Sequence, residues 1–266
     1  MTKAQITKNY HTHTWRCKHA EGDVTDYCRA ATAAGITVLG ITDHTPLPDN
    51  RWPSVRMDMA GLPAYCRAID AARDRFPGLT VLKGLECEYD AAYENFYRDE
   101  ILGRHGFGYL IGAVHYFPWD GQWMRIHCLR REEKMMAAYA EYFIRSMASG
   151  LFAFMAHPDA FGIFCPDWDA EAVACSREML RAAESLGVPL EINAYGLRKR
   201  PIETPSGPRA PYPLMPFWEL AAEYDIRVIV NSDAHRPADI TGQTDRALEI
   251  ADRFDLRLAD LSHLTP

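Results

Sequence analysis

Ile6-Thr7-Lys8-Asn9-Tyr10-His11-Thr12-His13 is the stretch from which the fold can be read. The apolar-leaning run from Ile6 to Tyr10 predicts a first strand, with His11 and His13 at its exit. Side chains two apart on a strand share a face, so the two imidazoles point the same way and can converge on one ion, while Thr12 turns to the other face. Such a pair also fits a merely polar strand end, and the remaining strands decide between the two.

Outward from that strand the chain repeats one pattern. A helix from Asp23 to Ala34, closed by Gly35, leads to a β-branched strand, Thr37 to Ile41, ending in Thr42-Asp43-His44. After a Pro- and Asp-rich loop come a helix, Leu62 to Phe76, and a third strand, Thr80 to Leu85, ending in Glu86. A helical segment from Tyr93 to Leu102 precedes strand four, Tyr109 to Val114, which delivers His115. An aromatic-rich loop, Tyr116 to Cys128, leads to a long helix from about Arg130 to Ser149, and strand five, Leu151 to Ala156, delivers His157. Helix Ala170 to Leu186, strand six from Pro189 to Asn193, and a long loop from Ala194 to Pro213 follow. Helix Phe217 to Tyr224, strand seven from Ile226 to Asn231 with Ser232-Asp233-Ala234-His235 at its exit, and helix Asp245 to Phe254 complete the pattern. Seven strands alternating with helices predict parallel pairing in a single α/β domain, residues 1–266, folded as a distorted (β/α)7 TIM-like barrel. A doubly wound open sheet is the alternative, weakened by the lack of a phosphate-binding glycine fingerprint.

Bulk properties narrow the class. A 48% hydrophobic chain of 266 residues can bury a large core. The formal net charge of -7, with scattered basic residues, argues against general nucleic-acid or membrane-surface binding. No apolar run is long enough to span a bilayer and no secretory leader is legible, so a soluble, cytoplasmic protein is expected. The seven cysteines are odd in number, dispersed and never spaced Cys-x-x-Cys, which predicts free thiols; Cys17 and Cys87, beside suspected ligands, are read as small buried residues.

In a parallel barrel the C-terminal strand ends converge on one face, where active sites are built. Six of the seven strands end here in a candidate donor: His11 and His13, His44, Glu86, His115, His157, then Asp233 and His235. His19 joins them from the loop after strand one. That is too many donors for one ion and suits two or three divalent ions of Zn, Fe or Mn, with Glu86 able to bridge. Asp43 and Asp159, next to ligand histidines, are expected to accept from imidazoles and fix their tautomers. Trp15, Tyr116, Phe117, Trp119 and Trp123 are expected mainly to pack loops on the barrel rim. His105, His127 and His263 lie away from strand exits and are read as surface or helix-end residues.

His11-x-His13, Thr42-Asp43-His44, Gly84-Leu85-Glu86, Gly112-Ala113-Val114-His115, Ala156-His157-Pro158 and Ser232-Asp233-Ala234-His235, in that order, resemble the PHP (polymerase and histidinol phosphatase) superfamily. The His13 to His19 spacing, Tyr93-Glu94-Asn95-Phe96 and Gly196-Leu197-Arg198-Lys199 are most similar to its monofunctional histidinol-phosphate phosphatases. The resemblance implies a trinuclear centre: one ion on His11, His13, Glu86 and Asp233; a second on Glu86, His115 and His157; a third on His19, His44 and His235. The loop from Ala194 to Pro213 departs from the family pattern and would reshape the substrate pocket. The reaction expected is hydrolysis of a small-molecule phosphomonoester, L-histidinol phosphate foremost, by a metal-bridging hydroxide, the ions lowering the pKa of bound water from about 15.7 towards 7. Glu86, Asp233 and Arg198 would be catalytic, and Arg198 and Lys199 would bind the phosphate. Three rivals are another PHP phosphoesterase acting on a different monoester or a nucleotide end, an amidohydrolase, and a non-catalytic metal-stabilised interaction module. The early Glu86 bridge and the lack of an eighth strand count against the amidohydrolase; the intact donor set and lack of an appended domain count against the module.

Overall fold

The computed structural model describes residues 5–129, 134–165 and 167–266. Eight parallel strands lie in one curled sheet, in the order β1 (Lys8–Asn9), β2 (Val38–Ile41), β3 (Thr80–Glu88), β4 (Tyr109–Ala113), β7 (Phe154–Met155), β8 (Leu190–Asn193), β9 (Arg227–Asn231) and β10 (Arg257–Leu258). The two strands missing from that order, β5 (Tyr116–Trp119) and β6 (Gln122–Arg125), form an antiparallel hairpin. Helices α1 (Val24–Ala33), α2 (Leu62–Arg75), α3 (Met135–Ala148), α4 (Ala170–Leu186), α5 (Met215–Ala221) and α6 (Thr244–Arg253) fill the crossovers. The start expected for the third of the long helices, Arg130, lies outside the described residues. The segment expected to be helical from Tyr93 is wound as a π-helix over Phe96–Arg104.

The sheet closes into a distorted barrel at its upper end. Thr12 bridges Ala234, His13 N donates to Ala234 O at 2.9 Å, and Tyr10 N donates to the Asn231 side chain at 2.7 Å, joining β1 to β9. At its lower end β9 pairs instead with β10, the eighth strand that the sequence did not reveal. Two residues are too few to carry a periodicity, so β10 is defined only by its tertiary pairing.

Alternation along the strands produces two buried layers. Leu39, Val81, Leu85, Leu110 and Ile192 pack outward under the helices. Tyr10, Leu82, Tyr109, Ile111, Phe154 and Ile229 face inward and plug the barrel. Tyr109 fits because Gly40 and Gly84 lack a side chain: a Cβ at Gly84 would lie 2.7 Å from the Tyr109 ring. Above this plug the inward positions turn polar, and the donors stand there.

Candidate metal centre

On β3 the inward face reads Leu82, Gly84, Glu86, Glu88, so the strand changes from packing to chemistry within two steps. Glu86 is 1% exposed, with histidines on both of its oxygens. Its Oε1 lies 3.0 Å from His157 Nε2, 3.6 Å from His11 Nε2 and 3.7 Å from His115 Nε2. Its Oε2 lies 2.9 Å from His44 Nδ1 and 3.3 Å from His13 Nε2. Asp233 Oδ1 closes the far side, 3.3 Å from His13 Nε2, 3.6 Å from His11 Nε2 and 3.4 Å from His235 Nδ1. His19, on the exposed loop after β1, places its ring 5.0 Å from that of His235 and 5.4 Å from that of His44. All nine expected donors therefore stand on one face of the barrel.

Two of these residues hold unusual backbone. His157 and Asp233 have φ of 29° and 48°, in the left-handed region, where a residue with a Cβ costs about 1–3 kcal/mol. Both strained residues carry side chains of the cluster.

The electrostatics are those of a site for cations. Burial pushes the Glu86 carboxyl up, but His44, His115 and His11 outweigh it and hold it well below its usual range. Asp233 is likewise held low against burial by His11, His13 and His235. Burial pushes His13 down, yet Asp233 and Glu86 beside it help raise it to about 10, while burial takes His44 down to about 3. Asp233 Oδ1, His13 Nδ1 and His44 Nδ1 are buried without a hydrogen-bond partner, although His44 Nδ1 lies close to Glu86. Orphaned lone pairs among converging imidazoles and carboxylates fit divalent ions, which need such donors deprotonated and aimed at one point. Four sets of donor atoms lie within ion-sharing distance: His11, His13 and Asp233; His13, His44 and Glu86; Glu86, His115 and His157; and His13, Cys17 and His235.

The groups behind the donors differ from those expected. Asp43 accepts from Thr14 N and Oγ1 at 2.8 and 2.6 Å, and Asp159 from Leu214 N and Trp218 Nε1 at 2.6 and 2.8 Å. Both fasten loops, and neither accepts from an imidazole in the hydrogen bonds described. That task falls to two glutamates the sequence did not single out. Glu191 on β8, fully buried, lies 2.9 Å from His11 Nδ1 and accepts from His157 N, Asn193 Nδ2 and Asn231 Nδ2. Glu88 lies 2.7 Å from His115 Nδ1 and pairs with buried Arg56 at 2.8 Å. A carboxylate behind an imidazole fixes its tautomer and raises its basicity as a ligand.

Arg198 stands behind the donors. Its guanidinium donates to the carbonyls of Gly242 at 2.6 Å, Ser232 at 2.8 Å and Asp233 at 3.1 Å, so it fastens the loop that carries Asp233 rather than lining the cavity. Lys199 does line it, with Nζ 3.8 Å from the Tyr195 ring centre and its pKa lowered by burial. The cavity over the donors has a volume of about 340 Å³. Ile126, Ile163, Phe164 and Tyr212 form its apolar wall, and Arg125 joins Lys199 as a cation. Of the rim aromatics, Tyr116 stacks on Trp52 at 3.7 Å and lines the cavity, whereas Trp15 is 55% exposed. His127 packs its ring 6.0 Å from that of Phe164, just outside the site.

The family model for the PHP domain matches residues 9–195. The chain belongs to the PHP family. A curated relative from Deinococcus radiodurans, named "Probable histidinol-phosphatase", is 32% identical over 240 residues, which is 86% of each chain. The fold is shared with a histidinol phosphate phosphatase from Lactococcus lactis whose structure contains zinc, L-histidinol and phosphate. That match has a TM-score of 0.70 at 16% identity and covers 97% of this chain and 98% of the other. As a PHP phosphoesterase the protein is a metal-dependent hydrolase, and the distorted TIM-like barrel is the architecture it shares with the Lactococcus protein. Among the described residues no helix is long and apolar enough to cross a membrane.

Proposed function

We propose that this PHP chain hydrolyses L-histidinol phosphate to L-histidinol and phosphate, a step of histidine biosynthesis, with residues 1–266 acting as one catalytic domain. Glu86 carries the reading: a buried carboxylate with histidines against each oxygen is suited to bridge ions. We assign His11, His13, Glu86 and Asp233 to one ion, Glu86, His115 and His157 to a second, and His19, His44 and His235 to a third, the metals being Zn, Fe or Mn. Such ions, when bound, make water a nucleophile near neutral pH and neutralise phosphoryl oxygens.

The protein's own groups supply the rest. Glu191 and Glu88 hold His11 and His115 in the tautomer that presents Nε2 to the centre. Lys199 meets a non-bridging phosphate oxygen through a charge-assisted hydrogen bond, aided by Arg125 at the rim. Arg198 keeps Asp233 in its strained backbone through the Ser232 and Asp233 carbonyls. Ile126, Ile163, Phe164 and Tyr212 exclude water around the alcohol half and offer flat apolar surface to an imidazole. The ligands in the Lactococcus structure and the name of the Deinococcus relative favour this substrate over other small phosphomonoesters. Seven buried cysteines, with no disulfide among the described residues, favour the reducing cytoplasm as the place of action.

The test is phosphate release from L-histidinol phosphate and from a panel of other small phosphomonoesters by metal-analysed protein. The reading expects histidinol phosphate to be preferred and Glu86→Gln to abolish turnover. Preference for another monoester would replace the substrate, and undiminished turnover by Glu86→Gln would remove the mechanism.

A further inference from the structure

Cys17 is fully buried, yet it belongs to neither apolar cluster that packs the molecule. Cys28, Cys66, Cys87, Cys165 and Cys175 all sit in the main core, as small apolar residues do, and buried Cys128, like Cys17, lies outside both clusters. Cys17 instead ends the short 3-10 turn Trp15–Cys17, between His13 and His19 in sequence. The turn is set by the Thr14 side chain, which caps it and is itself held by Asp43. Its Sγ lies within 4.8 Å of a ring nitrogen of His13 and of His235, a group of three able to share an ion.

A second observation marks the same place. His13 turns Nε2 towards His11, Glu86 and Asp233, at 3.0 to 3.3 Å. Its other nitrogen, Nδ1, remains buried without a hydrogen-bond partner, in a side chain only 1% exposed. The polar groups on this side of the centre therefore include an orphaned imidazole nitrogen, a thiol and the rings of His19, His44 and His235.

We infer that Cys17 donates its sulfur, as a thiolate, to an ion it shares with His235, where the two stand within reach of His13. The inference rests on the metal-centre reading and adds a donor of a different kind to it. An all-imidazole set accepts Zn, Fe, Ni or Cu with little discrimination beyond the usual affinity order, whereas one thiolate shifts preference towards softer ions and away from Mn and Mg. Binding removes the thiol proton to solvent, so no oxidant or further reactant is needed.

The experiment replaces the native ions of the whole protein with Co(II) and records the near-ultraviolet spectrum alongside metal content. A sulfur-to-cobalt charge-transfer band in the wild type, lost in Cys17→Ser and in Cys17→Ala, is the expected result. Cobalt bound with no such band overturns the thiolate ligand and leaves the imidazole and carboxylate centre standing. A band that persists in both variants belongs to another thiol and overturns the assignment to Cys17. Failure of the wild type to bind cobalt or zinc overturns this inference and the metal centre together. Should neither variant fold, X-ray absorption on the zinc-loaded wild type decides: one sulfur scatterer per molecule is expected, and none refutes it.

Discussion

Replacing Glu191 by glutamine tests whether the buried acid on β8 tunes the metal centre. Glu191 Oε1 meets His11 Nδ1 at 2.9 Å and Asn231 Nδ2 at 2.9 Å; Oε2 meets Asn193 Nδ2 at 2.7 Å and His157 N at 3.1 Å. Four donors thus converge on two fully buried oxygens. Glutamine keeps the shape and one acceptor but places an amide N–H against two of those donors. It also removes the negative charge that orients His11 and makes its Nε2 a stronger donor. Loss of a carboxylate behind a ligating histidine costs about 10–100-fold in metal affinity, which is roughly 1.4–2.7 kcal/mol. The assay is competition against a chelator of known affinity, with thermal unfolding of the stripped protein recorded in parallel to separate metal loss from misfolding. Unchanged metal affinity in a folded Glu191→Gln protein would refute the claim that this carboxylate tunes the centre.

Further outcomes follow from the same contacts. Glu88→Ala leaves Arg56 charged and unpaired at 1% exposure, so denaturant unfolding should show a loss of about 3–5 kcal/mol. Lys199→Ala should lower kcat/KM about 10–100-fold in steady-state phosphate release, since a hydrogen bond to a charged group contributes about 1.5–3 kcal/mol, whereas Arg198→Ala should act chiefly on metal retention through the Asp233 loop. His13 in the stripped protein is raised from 6.5 to about 10. Its folded form binds the proton more tightly, so that contribution to stability is complete below pH 6.5 and is lost as pH rises towards 10. Over the same window metal binding must displace less proton, and affinity measured by chelator competition should climb with pH. Gly196→Ala should unsettle the cavity, because a Cβ there collides with the Tyr212 carbonyl, and thermal unfolding should report a lower Tm.

The donors were legible because strand periodicity and barrel geometry put strand exits on one face, and histidine at an exit is visible in the chain. The groups behind them were less so. Glu191 lies inside a strand rather than at its exit, and only its oddity as an acid in the buried run Leu190–Asn193 gave a signal. Glu88 could have been found from its spacing, two residues beyond Glu86 on the same face. The β5–β6 hairpin lies in the stretch expected as loop, although Asp120-Gly121, both at positive φ, is a strong two-residue turn signal. The contacts of Arg198 are not legible in the chain, because loop position does not say which carbonyls a guanidinium will meet. Asp43 and Asp159 were adjacent to ligands in sequence, but their backbones point them at loops instead.

Phosphate release from L-histidinol phosphate, followed as metal ions are stripped from the protein and then restored, tests the central claim most directly. The account predicts turnover that falls with the ions, returns with them, and is absent from Glu86→Gln at every metal content. Full turnover by the stripped protein, or none by the fully loaded wild type, would contradict it.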